Sequence, residues 1–318
     1  MGRMVAKLLF APHPAGIDLF VCSQNKETVL NLLEPLTLII CALVLVFIFM
    51  LGSIWLLEKY FVFRPRRANQ HWEPIDDPEI EEVHLPCQDG QTIQGWYLPC
   101  VNASGVLLYC HGNGGNISYH YETMCAFRQH LNVSVFIFDY PGYGHSSGQP
   151  SEQGCYHSAT AAYDWLLATK PCARDRIIIC GESLGGAVAV DLAARKTASC
   201  LVIVRSFTSV PSVAVRRFWW LPAVLLMRNR FSSITKIGHV RCPVFIANME
   251  KDTEIPYTMG LSLYEKSQAP KKMMCLPGHD HSEALPTDFF ITLQGFLTDP
   301  QAERGQTSDL SSLNWKPH

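Results

Sequence analysis

The apolar positions of this chain change their spacing twice, and each change marks a different kind of structure. From Leu36 to Leu57 they are nearly continuous, and no charge interrupts these twenty-two positions. At about 1.5 Å of rise per residue, such a run crosses about 30 Å of hydrocarbon as a helix. It predicts one transmembrane helix over 36–57, because a core helix is seldom so long and so free of polar positions. Residues 1–35 are mixed in character, and Pro12, Pro14 and Gly16 are expected to break any long element there. Residues 58–78, with Pro, Arg and Asp gathered from Arg64 to Pro78, read as a linker.

The spacing then shifts to a period of two. Glu81–Pro86 and Gln91–Leu98 alternate apolar and polar residues around Gln88-Asp89-Gly90, which predicts an antiparallel hairpin. Short, mainly apolar runs follow at Val106–Cys110, Val133–Asp139, Ile177–Cys180, Cys200–Val204, Pro243–Ala247 and Lys272–Leu276. Runs of this kind suit strands buried on both faces. Segments with helical spacing, such as Glu152–Thr169 and Ala187–Ala194, lie between them. The alternation predicts an α/β domain over 79–298, with a mostly parallel sheet covered by helices on both faces. An insertion at about 210–237 interrupts the series, and the Gly-, Ser-, Thr- and Gln-containing end, 299–318, reads as a disordered tail.

Composition adjusts this picture in three places. Hydrophobic residues make up 48% of the chain, which fits a membrane segment added to a globular domain. A formal charge of −2 argues against nucleic acid as a partner. The twelve cysteines are scattered without a C-x-x-C pair or a Cys/His cluster, so no structural metal is expected. Cys110, Cys180 and Cys200 fall in or beside strand runs and are expected as buried thiols, which favours a reducing compartment. The apolar run starts too far from Met1 for a signal peptide, and Ala6 stands where a myristoylation signal wants Ser or Thr. Lys59, Arg64, Arg66 and Arg67 follow the span closely, whereas only Arg3, Lys7 and Lys26 precede it, so the C-terminal part is expected on the cytoplasmic side of a single-pass protein. The sequons at Asn102, Asn116 and Asn132 are little above what chance supplies, and decide nothing against that side.

The chemistry centres on Gly181-Glu182-Ser183-Leu184-Gly185, a G-x-S-x-G pattern between a strand run and a helix run. A serine on such a turn stands free, and the flanking glycines let strand and helix approach. Serine alone is a poor nucleophile and needs a histidine base oriented by a carboxylate. Both are expected after Ser183, in the order acid then histidine, at the ends of later strands. One loop offers Glu250, Asp252 and Glu254, and the next offers His279 and His281. Leu184, at a helix N-terminus, is a candidate backbone donor to an oxyanion. The loop His111-Gly-Asn-Gly-Gly-Asn116 can curl its amides inward, and it lacks the Lys-Ser/Thr ending of a P-loop and the spacing of a dinucleotide fingerprint. His111 is expected to brace this loop, and Asp139 to be structural.

These motifs, together with Asp139-Tyr-Pro-Gly-Tyr-Gly-His-Ser-Ser-Gly148 and Ser206-Phe-Thr-Ser209, resemble the α/β-hydrolases. Within that superfamily of serine hydrolases, the resemblance is to the membrane-tethered branch called BEM46-like, with alpha/beta hydrolase domain-containing proteins 13 and 17. It runs from about Phe61 to Phe296. The resemblance implies the α/β-hydrolase fold, preceded here by the transmembrane helix, and a triad of Ser183, Asp252 and His281. Asp252-Thr-Glu-Ile-Pro256 matches the family's D-x-x-(I/V)-P, and Gly278 to His281 matches G-x-x-H, with Ser282 where the family has Asn. By family position Asn113 joins Leu184 in the oxyanion hole, with Gly181, Gly185, His111 and Gly112 shaping the elbow and loop. Two departures stand out: Asn248-Met249 replaces His-Gly, and Arg205 replaces a carboxylate or small residue. The insertion is expected to cover the site, with Trp219 and Trp220 lining an acyl pocket or, alternatively, packing on the sheet.

The function implied is a membrane-anchored serine hydrolase cleaving carboxylic ester or thioester bonds of acyl lipids or lipidated proteins, without cofactor or metal. A peptidase or amidase would use the same triad, and a non-catalytic membrane scaffold could keep the fold. Ser183 excludes a haloalkane dehalogenase, which needs Asp at that place.

Overall fold

Alternation within each apolar run is what makes the sheet two-faced. In the computed structural model, which describes residues 15–170, 176–217 and 227–300, Val106–Cys110 forms a fully buried strand. Val106, Leu108 and Cys110 enter one hydrophobic core, while Leu107 and Tyr109 enter the other. The same division recurs along Ile177–Glu182, Cys200–Val204 and Val244–Met249.

In chain order the elements are α1 (Ala15–Val62), β1 (Arg64–Pro65), β2 (Glu81–Pro86), β3 (Thr92–Leu98), β4 (Val106–Cys110), β5 (Gly114–Gly115), α2 (Tyr121–Leu131), β6 (Ser134–Phe138), α3 (Glu152–Thr169), β7 (Ile177–Glu182), α4 (Leu184–Arg195), β8 (Cys200–Val204), α5 (Val210–Arg217), α6 (Ser233–Lys236), β9 (Val244–Met249), α7 (Tyr257–Lys266), β10 (Lys271–Leu276) and α8 (Thr287–Thr298). The main sheet has the order β10-β9-β8-β7-β4-β6-β3-β2. It is parallel from β10 to β6, whereas β3 pairs antiparallel with both β6 and β2, as the hairpin signal predicts. Helices α3, α4 and α7 cover one face, and α2 and α8 the other. The chain steps from β4 to β6 on one side and returns to β7 on the other, so its direction reverses at β4. Ligand crevices of open α/β sheets lie at such a reversal, outside the C-terminal strand ends.

The chain divides after Ile54 into two units. The first contains most of α1, whose stretch Leu33–Ser53 is long and apolar enough to cross a membrane, with a mean hydropathy of 2.8. Its side chains are exposed, Leu38 and Phe49 among them. The helix differs from the sequence expectation on its N-terminal side: it already includes Ala15 and Gly16 and holds Pro35 in its interior, while Pro12 and Pro14 lie outside the described residues. A proline removes a single backbone donor, which a helix this long tolerates. The segment 58–78 also differs from a bare linker. It carries the last turn of α1 and then β1, which pairs in parallel with β5, and Val62 and Phe63 are buried.

Cys110, Cys180 and Cys200 are buried free thiols, and burial pushes all three well up, which leaves them unreactive. Asn116 is wholly buried, its amide given to the carbonyls of Arg66 and His71, so that sequon is closed in the folded chain. Of the insertion, Val210–Arg217 and Ser233–Lys236 are helical, whereas Trp219 and Trp220 lie outside the described residues, as do residues 301–318 of the expected tail.

Phe289 anchors α8 to the sheet, edge-on to Phe245 and Phe127 and fully buried. Replacing Phe289 with Ala should lower stability by about 3–5 kcal/mol, seen as a fall of the order of 10 °C in the melting temperature.

Candidate active site

Ser183 lies between β7 and α4 at φ 52° and ψ −117°, a conformation that side chains avoid. Close contact holds it there. A Cβ on Gly181 would meet the Gly185 carbonyl oxygen at 2.2 Å, and one on Gly185 would meet the Cys110 carbonyl oxygen at 1.9 Å. Only glycine fits either place. The Ser183 amide donates to the Val204 carbonyl (3.0 Å), and its carbonyl accepts from the Gly186 amide (3.0 Å) and the Ser206 hydroxyl (2.7 Å). Leu184 opens α4 and is buried, and a first-turn amide has no acceptor within its own helix.

The loop after β9 folds back on its own carboxylate. Asp252 Oδ1 accepts from the amides of Glu254 (2.9 Å) and Ile255 (2.7 Å), which fixes the side chain inside its turn. Its Oδ2 meets His281 Nδ1 at 2.6 Å, and His281 Nε2 stands 3.3 Å from Ser183 Oγ. With Nδ1 donating to the carboxylate, Nε2 is left to accept the serine proton. The other candidates in these loops serve as ties. Glu250 accepts from the Gly278 amide (2.8 Å), and the His279 carbonyl accepts from the Lys251 amide (2.9 Å). The His279 ring turns to the Pro277 carbonyl, and no contact joins it to Ser183 or Asp252. Asn248 and Met249, the departure before the acid loop, are buried at the end of β9 and leave Asp252 in reach of His281.

The loop after β4 passes close to the serine, since a Cβ on Gly112 would lie 3.7 Å from Ser183 Cβ. His111 is buried, and its Nδ1 meets the Gly112 carbonyl at 2.7 Å. That carbonyl shares a peptide plane with the Asn113 amide, so fixing one directs the other. Burial, helped by nearby His120, keeps the His111 pKa well below the ordinary imidazole value, so the ring is neutral and Nδ1 donates. Asp139 is also wholly buried and opens the turn after β6. Its Oδ1 accepts from the Ile117 amide (3.0 Å) and lies 3.6 Å from His111 Nε2. Burial raises its carboxyl well above the usual range, against the pull of that amide.

A buried charge pair behind the elbow escapes a reading of single motifs. Arg205, at φ 40°, follows β8 and places Nη2 3.0 Å from Glu182 Oε1. Tyr109 donates to Glu182 Oε2 (2.6 Å), and Arg205 Nη1 donates to the Glu283 carbonyl (2.7 Å), two residues beyond His281. Burial by itself would raise the Glu182 carboxyl, but Arg205, with His120 and the Tyr109 hydroxyl, outweighs it and holds the group below the usual range. The guanidinium thus joins the elbow to the histidine loop. The one sequence signal for this was Arg205 itself, standing where the family seldom has a cation. Among the described residues no group of His, Cys, Asp and Glu is arranged to hold a metal.

Comparison with known proteins agrees with the fold. A family model for the alpha/beta hydrolase fold matches residues 105–231. An uncharacterized protein of Mycobacterium tuberculosis is 33% identical, covering 77% of this chain and 89% of its own. Protein bem46 of Schizosaccharomyces pombe is 27% identical, covering 78% of this chain and 88% of its own. Among solved structures, an esterase of Pyrococcus furiosus shares the fold at 19% identity with a TM-score of 0.60, covering 74% of this chain and 98% of its own.

Two substitutions test the site's supports. Gly185→Ala drives a methyl into the Cys110 carbonyl and should destabilise the protein by at least about 3 kcal/mol, measured by thermal melting. Asp139 holds its proton more tightly folded than unfolded. Its contribution is therefore intact below the unfolded value of about 4 and is lost as pH rises through the folded value. Melting temperatures of Asp139→Asn and wild type should thus diverge in favour of the variant as pH is raised above about 4. Parallel curves from pH about 4 to 8 would mean an ordinary carboxyl.

Proposed function

We propose that this chain, which belongs to the α/β-hydrolase family in its bem46-like branch, is a membrane-anchored serine hydrolase acting on carboxylic esters or thioesters. The observation that carries the reading is the relay from Asp252 Oδ2 through His281 to Ser183 Oγ, at 2.6 Å and 3.3 Å, on a strained elbow. Ser183 Oγ attacks the acyl carbonyl while His281 Nε2 takes its proton, and Asp252 steadies the imidazolium. The amides of Leu184 and Asn113 hold the oxygen that becomes negative. Collapse of the tetrahedral species breaks the acyl–oxygen or acyl–sulfur bond, and His281 returns the proton to the departing alcohol or thiol. A water, deprotonated by the same histidine, then releases the acid from Ser183. No metal or organic cofactor enters these steps.

Two features support a substrate with an acyl chain. Leu33–Ser53 supplies a membrane-length apolar helix, and the chain carries an insertion, 210–237, between β8 and β9, the strand that leads to Asp252. Acyl lipids or lipidated proteins are the substrates this placement favours. The basic residues just after the span, Lys59 to Arg67, favour a cytoplasmic catalytic domain.

Labelling of the full chain by a fluorophosphonate tests the nucleophile, and hydrolysis of a panel of short esters, monoacylglycerols, lysophospholipids and acyl thioesters tests the bond. Wild type should label and Ser183→Ala should not. His281→Ala should lose about a thousandfold or more in kcat, while His279→Ala stays near wild type. Equal labelling of wild type and Ser183→Ala would end the serine-hydrolase reading, and an active His281→Ala beside a dead His279→Ala would reassign the base.

A further inference from the structure

The turn of α1 that leads into the catalytic unit ends on the loop that carries Asn113, and this inference rests on the serine-hydrolase reading above. Val62 is the last residue of α1, so its carbonyl has no acceptor role within the helix. Asn113 Nδ2 donates to it at 3.2 Å. The Asn113 carbonyl in turn accepts from the Arg64 amide (3.0 Å) and the Tyr143 hydroxyl (2.8 Å). β1 and β5 extend the seam: the Arg66 amide donates to the Gly115 carbonyl (3.1 Å), and Asn116 Nδ2 donates to the Arg66 carbonyl (3.0 Å). Side chain and carbonyl of Asn113 are therefore both gripped by residues 62–64, while the peptide before it is gripped by His111.

The same turn is fixed to the body of the domain by a buried charge. Glu58 is 4% exposed, although it follows directly on the apolar stretch. Its carboxylate accepts from the amides of Arg228 (3.2 Å) and Asn229 (2.6 Å) and from Asn229 Nδ2 (3.0 Å). Asn229 Oδ1 accepts from the Glu152 amide (2.8 Å), and Glu152 Oε2 accepts from the Arg230 amide (2.6 Å). Phe63 packs edge-on to Phe231 at 5.9 Å, both rings buried. A carboxylate this deep needs several donors, and the chain returning from the insertion supplies them.

We infer that residues Glu58 to Arg66 are a positioning element of the oxyanion hole, so that the turnover rate depends on how the tether's last turn is seated. Glu58 and Phe63 fix that turn, and its end holds Asn113 through side chain and carbonyl. Displacing the turn frees the loop, and its amide then loses the direction an oxyanion needs. An oxyanion exists only as the reaction proceeds, so the effect falls on kcat and spares KM.

The test uses the full chain in detergent–lipid micelles, with a water-soluble nitrophenyl ester as substrate and fluorophosphonate titration to count active serines. Asn113→Ala keeps the backbone amide but drops the bond to Val62. It should lower kcat per titrated serine about tenfold, a fraction of the hundredfold or more lost with a whole oxyanion donor, and leave KM within about twofold. Glu58→Ala should act in the same direction. If Glu58→Ala does not fold, Asn113→Ala decides. Folded variants whose kcat per titrated serine stays within about twofold of a wild type that labels at Ser183 overturn the inference and leave the hydrolase reading standing. A lower melting temperature with unchanged kcat overturns it equally, because the turn would then be structural only. If wild type labels no more than Ser183→Ala, both readings fall.

Discussion

A serine held at φ 52° and ψ −117° carries strain of the order of 1–3 kcal/mol, and the surrounding structure must hold it there. Here the holding is done by backbone packed against backbone. Gly181 and Gly185 face one another across the turn, and Gly185 also meets the carbonyls of Cys110 and His111 at the end of β4. Strand, helix and the loop after β4 thus converge on positions where no side chain fits. The register of β4 against β7, Cys110 opposite Gly181, sets that approach. Everything chemical in the molecule is measured from this clamp.

The clamp also explains why polar groups can be buried or half-buried around it. His111, Asp139, Glu182, Arg205 and Asn113 each hold a backbone group or another charge near the elbow. Left unpaired, such groups would be costly in an interior. Paired, they turn loops into fixed parts. A reacting centre that stabilises charge needs donors already in place, because donors that must first move lose much of their effect.

The elements most legible in the sequence were those with local causes. The strand series showed because each run is mainly apolar, and the hairpin because its alternation and Gly90 turn lie side by side. The elbow showed because its glycines are needed within five residues of one another. The acid and histidine loops showed as places, but residue counting left Asp252 among three acids and His281 beside His279. The bonds from Glu254 and Ile255 to Asp252, and from the Gly278 amide to Glu250, depend on loop geometry that no spacing encodes. Residues 58–67 were opaque for the opposite reason. Glu58 and Arg64 look solvated beside an apolar helix, and their partners lie at Asn229 and Asn113, far along the chain. The helix over residues 15–35 was hidden because hydropathy marks apolar length and is silent on helix extending into polar sequence.

The separation of the triad along the chain has a consequence for synthesis. Ser183 and His281 are 98 residues apart, and the histidine follows β10, the last strand of the sheet. A ribosome therefore exposes the nucleophile long before the base exists, and β9 and β10 must pair in order before the two can meet. A growing chain that ends before β10 carries no relay. The relay is assembled only with the final strand, so the order of the strands leaves each unfinished copy without it.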